Sequence, residues 1–151
     1  MARIIGKVLP ERLKTYLEEN RRADEGSAIL LATIDGEGLP HFAMLSAWEV
    51  LPEDGRLRIA TYKSSTTTRN MKERGSVALA FIDREMSYYV KGVAEFIRFE
   101  ETINPPVAVF RVNISAVLEE EVSSEISQGI KYRKDSQIEP HKEVFELLSR
   151  R

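Results

Sequence analysis

Residues 55–82 read GRLRIATYKSSTTTRNMKERGSVALAFI and contain four successive structural signals. Leu57 and Ile59 alternate with polar residues, as on a half-buried strand, and a run of hydroxylic and basic residues follows them. Residues 67–74 then favour a short helix, and residues 77–82 favour another strand. The stretch therefore predicts the order strand, polar turn, helix, strand.

The polar turn is rich in hydroxyl groups and carries two cations. Its members are Thr61, Lys63, Ser64, Ser65, Thr66, Thr67, Thr68 and Arg69. The first turn of a helix exposes unpaired N–H groups and the positive end of the helix dipole, so this turn is suited to binding an anion. Ser and Thr are also preferred helix N-caps, and a polar turn needs no ligand to explain it. The residue types alone leave both interpretations open.

The composition limits the classes of protein to which the chain can belong. The 151 residues predict a single domain, and the net charge of −2 gives no overall attraction to nucleic acid or to an anionic membrane. There is no cysteine, which excludes disulfides, thiolate metal sites and a cysteine nucleophile. No apolar run approaches the ~20 residues of a membrane span, and we expect a soluble cytoplasmic protein.

Before the polar turn, the chain predicts a packing helix and two strands. The helix spans residues 10–22 and has Pro10 in its first turn, while residues 28–34 form a nearly continuous apolar run that is typical of a covered strand. A hairpin turn at residues 35–38 leads into a long second strand, residues 39–51, which a turn at residues 52–55 closes.

After the central stretch, the pattern predicts two further strands and a C-terminal helix. The fifth strand spans residues 87–99 and holds Gly92 as a bulge or a point of close approach, and the sixth strand alternates from Ala108 to Leu118. Residues 123–137 are polar and predict a loop or mobile segment. The resulting fold is mainly β: a six-stranded antiparallel barrel over residues 27–120 with flanking helices at residues 10–22 and 139–150.

Few side chains could carry acid–base or nucleophilic chemistry. His41 and His141 are the two histidines, and neither has the spacing of a metal ligand. The sequence contains no Walker-type phosphate loop and no G-x-S-x-G motif, which argues against a hydrolase. A chain with a polar anion site but few catalytic side chains suits a cofactor that supplies its own chemistry.

Several short motifs occur in an order that resembles a known family. They are G-L-P at residues 38–40, R-L-R-I-A-T at 56–61, S-V-A-L-A-F at 76–81, Y-V-K-G-V-A-E at 89–95, and Thr61, Ser65 and Asn70 in the spacing T-x-x-x-S-x-x-x-x-N. Together they resemble the pyridoxamine 5′-phosphate oxidase-like FMN-binding split barrels, a family that also includes general stress proteins and flavin reductase-like members. The resemblance spans about two thirds of the chain.

The resemblance implies a set of cofactor-binding residues. It assigns Thr61 and Ser65 to the FMN phosphate, Asn70 to the same loop, and the second-strand residues Met44, Leu45 and Ser46 to the edge of the ring. The family has an Arg-Lys pair directly after the loop serine, whereas this chain has Thr66 and Thr67 there. Lys63 and Arg69 are the nearest cations that could replace that pair. The second-strand arginine of the true oxidases is Ala43 in this sequence.

The resemblance also implies a function and leaves alternatives open. The first hypothesis is an FMN-binding protein that acts as a flavin-dependent oxidoreductase of unknown substrate and is not a vitamin B6 phosphate oxidase. A member using another redox cofactor, such as a deazaflavin or haem, is one alternative. A non-enzymatic barrel dimer that has lost the flavin and binds a small molecule or a partner is another, and the missing Arg-Lys pair favours it.

A homodimer is the expected assembly, with cofactor clefts at its interface. The fifth and sixth strands carry a second apolar set opposite the first, and a single barrel would leave so much apolar surface exposed to water. That set comprises Tyr89, Val93, Ile97, Val107, Val109 and Val117.

Overall fold

The structure, a computed structural model, describes residues 1–121, 126–133 and 138–150. Ten strands lie in these ranges: β1 (Ala2–Gly6), β2 (Glu25–Ser27), β3 (Ile29–Ile34), β4 (Pro40–Leu45), β5 (Val50–Glu53), β6 (Arg56–Tyr62), β7 (Ser76–Asp83), β8 (Met86–Glu100), β9 (Val107–Glu120) and β10 (Lys131–Arg133). The helices are α1 (Glu11–Arg22), α2 (Thr66–Arg74) and α3 (Ile138–Ser149), and a 3₁₀ turn spans Ala47–Glu49.

One antiparallel sheet organises the molecule, in the strand order β4-β3-β7-β8-β9-β6-β5. Its two edge strands, β4 and β5, follow each other in the chain and are joined through the short 3₁₀ turn. Four linking residues span at most ~15 Å, so the two edges of the sheet must come together. The sheet therefore curls into a split barrel with flanking helices, as the sequence predicts.

The barrel core follows the alternation of the strands. Leu31, Ile59, Leu79, Phe81 and Phe110 are fully buried in one apolar cluster. Helix α1 adds Leu13 and Leu17, which lie one turn apart on the same face and are also fully buried. Both predicted flanking helices thus exist close to their predicted bounds, and Pro10 is the N-cap of α1.

The predicted long strand at residues 39–51 is wrong, because the structure divides it into β4 and β5. Glu49 caps the intervening turn, because its Oε1 accepts hydrogen bonds from the Ser46 N–H (3.0 Å) and hydroxyl (2.9 Å). The break lets β4 pair with β3 and β5 pair with β6. The break between β4 and β5 is not visible in the sequence, because the residues on both sides of it have the apolar composition of a strand.

The six-strand count is also too low. Strand β1 pairs with the end of β9, and its Ile4 is 71% exposed, so it has no buried face to produce an alternating pattern. Strand β10 lies inside the predicted loop at residues 123–137 and pairs with β2. The rest of that loop prediction falls partly on residues 123–125 and 134–137, outside the described residues.

Gly92 marks a bulge, as predicted. The pairing register of β8 and β9 shifts between Lys91 and Gly92. A Cβ at Gly92 would lie 2.4 Å from the Asn113 carbonyl oxygen, closer than any side chain could be accommodated. Only glycine lets the two strands approach this closely.

Helix α3 covers much of the second apolar face. Val144 and Leu148 pack on Val107, Val109 and Ala60, which are buried in the single chain. Phe145 adds an edge-to-face contact with Trp48, with ring centroids 5.8 Å apart. The predicted exposure of Val107, Val109 and Val117 is therefore wrong, since the first two lie under α3 and Val117 lies in the barrel core, whereas Val93 stays 52% exposed.

Among the described residues, none of the helices has both the length and the apolar character that a membrane span requires.

Candidate functional site

The polar turn after β6 is built around the N-cap of α2. Ser65 is extended, and its hydroxyl accepts a hydrogen bond of 3.1 Å from the Thr68 N–H. The Ser65 carbonyl accepts the Arg69 N–H at 3.2 Å. The N–H groups of Thr66 and Thr67 have no acceptor within the helix, because they belong to its first turn. The turn therefore offers free backbone donors, as the sequence predicts.

A second group of hydroxyls supports the turn from below. Thr61 and Thr68 place their Oγ1 atoms 2.6 Å apart, and both residues are buried. Thr68 also donates to the Tyr62 carbonyl at 2.6 Å. These bonds tie the end of β6 to the first turn of α2 and fix the angle at which the helix begins.

A cavity of about 430 Å³ opens at this turn, and we call it the anion pocket. Hydroxyl groups and three cations line most of it. Its lining residues are Lys63, Ser64, Ser65, Thr66, Thr68, Arg69, Lys72, Glu73 and Phe99.

Two of the cations lie close to the ring of Phe99. The Nζ atom of Lys63 lies 4.7 Å from the centre of its ring and that of Lys72 lies 4.8 Å from it, distances at which a cation is attracted to an aromatic face. Lys63 also forms an ion pair with Glu101, and Glu73 pairs with Arg74 at 2.9 Å. Arg69 and Lys72 are thus the lining cations with no carboxylate partner among the ion pairs of the described residues.

The structure does not bring every predicted phosphate residue to the anion pocket. Ser65, Thr66, Lys63 and Arg69 line it. Thr61 and Thr67 are buried away from its lining. Asn70 also points elsewhere, because its side-chain amide donates to the Thr33 hydroxyl at 3.0 Å inside the barrel.

A second cavity, of about 350 Å³, holds the three residues predicted for the ring, and we call it the ring pocket. Met44 is 65% exposed, whereas Leu45 and Ser46 are buried. The remaining lining comes from Glu49 and from three other parts of the chain, at residue 28, residue 62 and residues 130–132. The whole set is Ala28, Met44, Leu45, Ser46, Glu49, Tyr62, Ile130, Lys131 and Tyr132.

Two tyrosines give the ring pocket flat walls. Tyr62 ends β6 and is 51% exposed, and Tyr132 lies on β10. Burial raises the pKa of both phenols, so they are neutral hydrogen-bonding groups at physiological pH. Flat, neutral and partly apolar walls suit a planar aromatic ligand.

Sequence reasoning missed Lys72 and Tyr132. Lys72 lies three residues after Arg69 on α2, a spacing that places two side chains on the same helix face, so this signal was available. Tyr132 comes from a segment whose composition predicts a loop. Its position depends on pairing between β10 and β2, which are about a hundred residues apart and give no local signal.

A metal centre has no support in the described part of the chain, where no cluster of three or more His, Asp or Glu side chains could hold an ion. His41 is half-buried on β4.

Comparison with known proteins places this geometry in context. A candidate pyridoxamine 5′-phosphate oxidase from Lactobacillus delbrueckii has 20% identity and a TM-score of 0.62, over 78% of this chain and 98% of that one. The haem storage protein HutZ from Vibrio cholerae has 12% identity and a TM-score of 0.56, over 74% and 95%. An F420 reductase has 18% identity and a TM-score of 0.50, over 66% and 94%. At these identities the likeness shows the fold alone.

The sequence itself gives a family-level match. A comparison with curated proteins finds no significant match. The sequence profile of pyridoxamine 5′-phosphate oxidase, however, matches residues 17–147, which include the barrel, the anion pocket and the ring pocket. The chain therefore belongs to the pyridoxamine 5′-phosphate oxidase family.

Proposed function

We propose that the chain binds FMN and is a flavin-dependent oxidoreductase, with the phosphate in the anion pocket and the ring in the ring pocket. One observation carries the proposal: consecutive residues line the two cavities, Tyr62 the ring pocket and Lys63 the anion pocket. A ligand with a flat aromatic ring at one end and a phosphate at the other matches this succession of surfaces.

The phosphate end fits the groups that the anion pocket supplies. The free N–H group of Thr66 and the positive end of α2 attract an anion. The hydroxyls of Ser64 and Thr66 add neutral donors. Lys72 and Arg69 supply charge in place of the family's Arg-Lys pair. The loss of that pair therefore does not leave the pocket without cations.

The ring end depends on packing more than on hydrogen bonds. The Ser46 hydroxyl and N–H are both engaged by Glu49, so Ser46 fixes the shape of the strand end. Met44, Ile130 and Tyr62 are each more than half exposed, and Met44 and Tyr62 can cover the faces of a planar ring. A thioether and a phenol both pack well on aromatic surfaces.

The chemistry of the proposed reaction belongs to the cofactor. FMN, when bound, supplies the capacity to accept and release electrons. The residues of this chain hold the phosphate, orient the ring and shield one part of it from water. The absence of cysteine from the sequence is consistent with this division.

Two other cofactors are candidates for the same fold. A deazaflavin has a comparable ring and phosphate, and the F420 reductase shares the fold. Haem is suggested by HutZ, but His41 is the single histidine whose side chain the structure describes, and it is only half-buried. We therefore favour a flavin-type ring over haem.

The proposed substrate is not pyridoxamine 5′-phosphate. Oxidases of that substrate clamp its phosphate with basic residues, including an arginine-containing C-terminal segment, and no such segment is recognisable at residues 138–151 of this sequence. The C-terminal helix that could supply them is packed on β5 and β6, with Leu148 fully buried. Oxidation of pyridoxamine 5′-phosphate by the FMN-loaded protein at ordinary enzyme rates would contradict this.

We also propose a homodimer. Paired residues on β3, β4 and β7 share one outward face, because directly opposite residues of antiparallel strands point the same way. This face is apolar and incompletely covered: Leu30, Ala32, Phe42, Met44, Ala78 and Ala80. Phe42 and Met44 are each about two-thirds exposed. A second copy would cover them and complete the ring pocket, and sedimentation as a stable monomer at micromolar concentration would contradict the dimer.

The experiment that tests the flavin proposal is a titration of the apoprotein with FMN and with riboflavin, which lacks the phosphate. The variants are Ser65→Ala and Lys72→Met, and Lys91→Met is the matched control because Lys91 is exposed on β8 and lines neither pocket. Loss of an ion-assisted hydrogen bond costs ~1.5–3 kcal/mol, so Lys72→Met raises the Kd for FMN roughly tenfold or more. Its Kd for riboflavin stays unchanged.

Binding of neither flavin by the wild-type protein would overturn the proposal and favour the non-enzymatic alternative. Equal binding of the two flavins, unaffected by both substitutions, would remove the phosphate site.

A further inference from the structure

The C-terminal segment 126–133 crosses the body of the barrel and is held there by backbone hydrogen bonds; we call it the strap. The Glu85 N–H donates to the Ile126 carbonyl at 3.1 Å, and the Ala28 N–H donates to the Ile130 carbonyl at 2.7 Å. Its last three residues, which form β10, pair with β2. The strap is thus fixed at both ends and in the middle.

Asp83 anchors the strap at the end of β7. One of its carboxylate oxygens accepts hydrogen bonds from the Ser27 hydroxyl (2.7 Å) and the Lys131 ammonium (2.9 Å). The other accepts the Gly129 N–H at 3.0 Å. Lys131 also donates to the Ser27 hydroxyl at 2.6 Å, and Ser27 is fully buried. Two residues of the strap therefore depend on one carboxylate of the barrel.

Two glycines allow the strap to lie close against the barrel. A Cβ at Gly129 would lie 2.1 Å from the Ile82 carbonyl oxygen, so any other residue would lift the strap from β7. A Cβ at Gly26 would lie 2.3 Å from the ring of Tyr132. The close approach at both points shows that the strap lies in a fitted groove.

The same segment forms one wall of the ring pocket. Ile130, Lys131 and Tyr132 line that cavity together with Met44 and Leu45 on the opposite strand. Asp83 itself does not line it. Any loosening at Asp83 would nevertheless reach the cavity, because Lys131 belongs both to the anchor and to the wall.

We propose that the strap is the wall of the ring pocket that determines how tightly the pocket holds a planar ring. Asp83 and Lys131 are the positioning residues that hold the strap in place. This inference rests on the proposed flavin function. In this role the strap contacts the bound ring and strengthens its binding. In the opposite role the strap would fill the ring pocket, and a ligand would have to displace it. The two roles predict opposite effects when the anchor is broken.

The test uses Lys131→Met and Asp83→Asn in the full chain, with titration by riboflavin and FMN. Lys14→Met is the matched control, because Lys14 makes one exposed ion pair, with Glu11, and its side chain is 30% exposed against 28% for Lys131. Weakening the anchor reduces the fraction of chains with a closed wall, so both Kd values rise by the same factor, about tenfold. Lys131→Arg, which keeps the charge, restores binding.

Hydrogen–deuterium exchange of the apoprotein gives a reading that needs no flavin. In Lys131→Met the amides of Ala28 and Gly129 exchange faster than in Lys14→Met, while amides of the β8–β9 ladder do not change. Unchanged exchange at both amides would show that Lys131 does not hold the strap on the barrel and would overturn the proposal.

Tighter flavin binding by Lys131→Met would contradict the proposed role of the strap and show that the strap blocks the ring pocket. Unchanged binding would also contradict the proposed role. A wild-type protein that binds neither flavin would overturn the wall together with the proposed function. A loss of affinity for FMN alone would place Lys131 in the phosphate site and would also contradict the proposed role of the strap.

Discussion

The guanidinium of Arg58, on β6, donates a hydrogen bond of 2.7 Å to the carbonyl of Arg150, just beyond the end of α3. It also donates to the Leu148 carbonyl at 3.1 Å and pairs with Glu53 at 2.8 Å, while only 8% of the residue is exposed. A cation at the C-terminal end of a helix satisfies its last carbonyls and favours its dipole. Arg58 thus fastens the helix that covers the second apolar face.

Arg58→Met should weaken that attachment. The substitution leaves the buried Leu148 carbonyl and Glu53 without this donor, while the Arg150 carbonyl keeps only a 3.5 Å bond from Arg98, so the free energy of unfolding should fall by about 2 kcal/mol. Urea unfolding measures the change. Arg56→Met is the control, because Arg56 lies on the same strand but is exposed. Equal stability of the two variants would contradict this role of Arg58.

Thr68→Val should destabilise the turn below the anion pocket. Valine has nearly the same shape but leaves the Thr61 hydroxyl without its buried partner, and the Tyr62 carbonyl then keeps the Ser65 N–H as its remaining donor. The expected loss is roughly 1–3 kcal/mol. Thr66→Val, at an exposed position of the same turn, should lose much less, and thermal unfolding of both variants distinguishes the cases.

The anchor at Asp83 should make stability depend on pH in the acid range. Burial opposes ionisation of this carboxyl, but the hydrogen bonds from Ser27, Lys131 and two N–H groups outweigh it and lower the pKa of Asp83 from 3.8 to about 2. Because the folded-state pKa lies below the unfolded one, the stabilisation is complete above pH ~4 and is lost as the pH falls toward about 2. Its full value is about 2 kcal/mol.

Asp83→Asn is the variant that isolates this effect. The difference in unfolding free energy between wild type and Asp83→Asn should be largest near neutral pH and should shrink as the pH falls through the same range. Urea unfolding at a series of pH values measures it. A difference that stays constant with pH would show that the Asp83 carboxylate contributes no charge-dependent stability.

Gly92→Ala should be strongly destabilising. The added Cβ meets the Asn113 carbonyl at 2.4 Å and a Val112 methyl at 2.8 Å, so β8 and β9 must separate locally. Overpacking of this kind costs roughly 1–3 kcal/mol. Ser115→Ala on β9 is the control at an exposed position. Thermal unfolding compares them, and similar melting temperatures would contradict the close approach at the bulge.

Local pattern was enough to predict most of the barrel. The alternation at Leu57 and Ile59, the polar turn before α2 and the long alternation of β9 each arise from contacts within a few residues or from a covered face. Residues 39–51 were misassigned because β4 and β5 are both apolar, and the break depends on the Ser46–Glu49 cap. Nothing in strand propensity reveals a change of pairing partner.

The placement of the candidate site residues was predictable in part for the same reason. Ser65, Thr66, Lys63 and Arg69 line one cavity because they share one turn, and Met44, Leu45 and Ser46 line another because they share one strand end. The covering of Val107 and Val109 by α3 and the anchoring of the strap at Asp83 join residues that are far apart in sequence. Such contacts leave no periodic signal in a single sequence.

The central claim is that FMN is held through its phosphate and its ring together, in the anion pocket and the ring pocket of each chain. The most direct measurement is reconstitution of the apoprotein with excess FMN or riboflavin, followed by desalting and determination of the flavin-to-protein ratio from absorbance. We predict that one FMN per chain is retained, and that riboflavin is largely lost because it cannot use the anion pocket. Retention of neither flavin, or equal retention of both, would contradict the account.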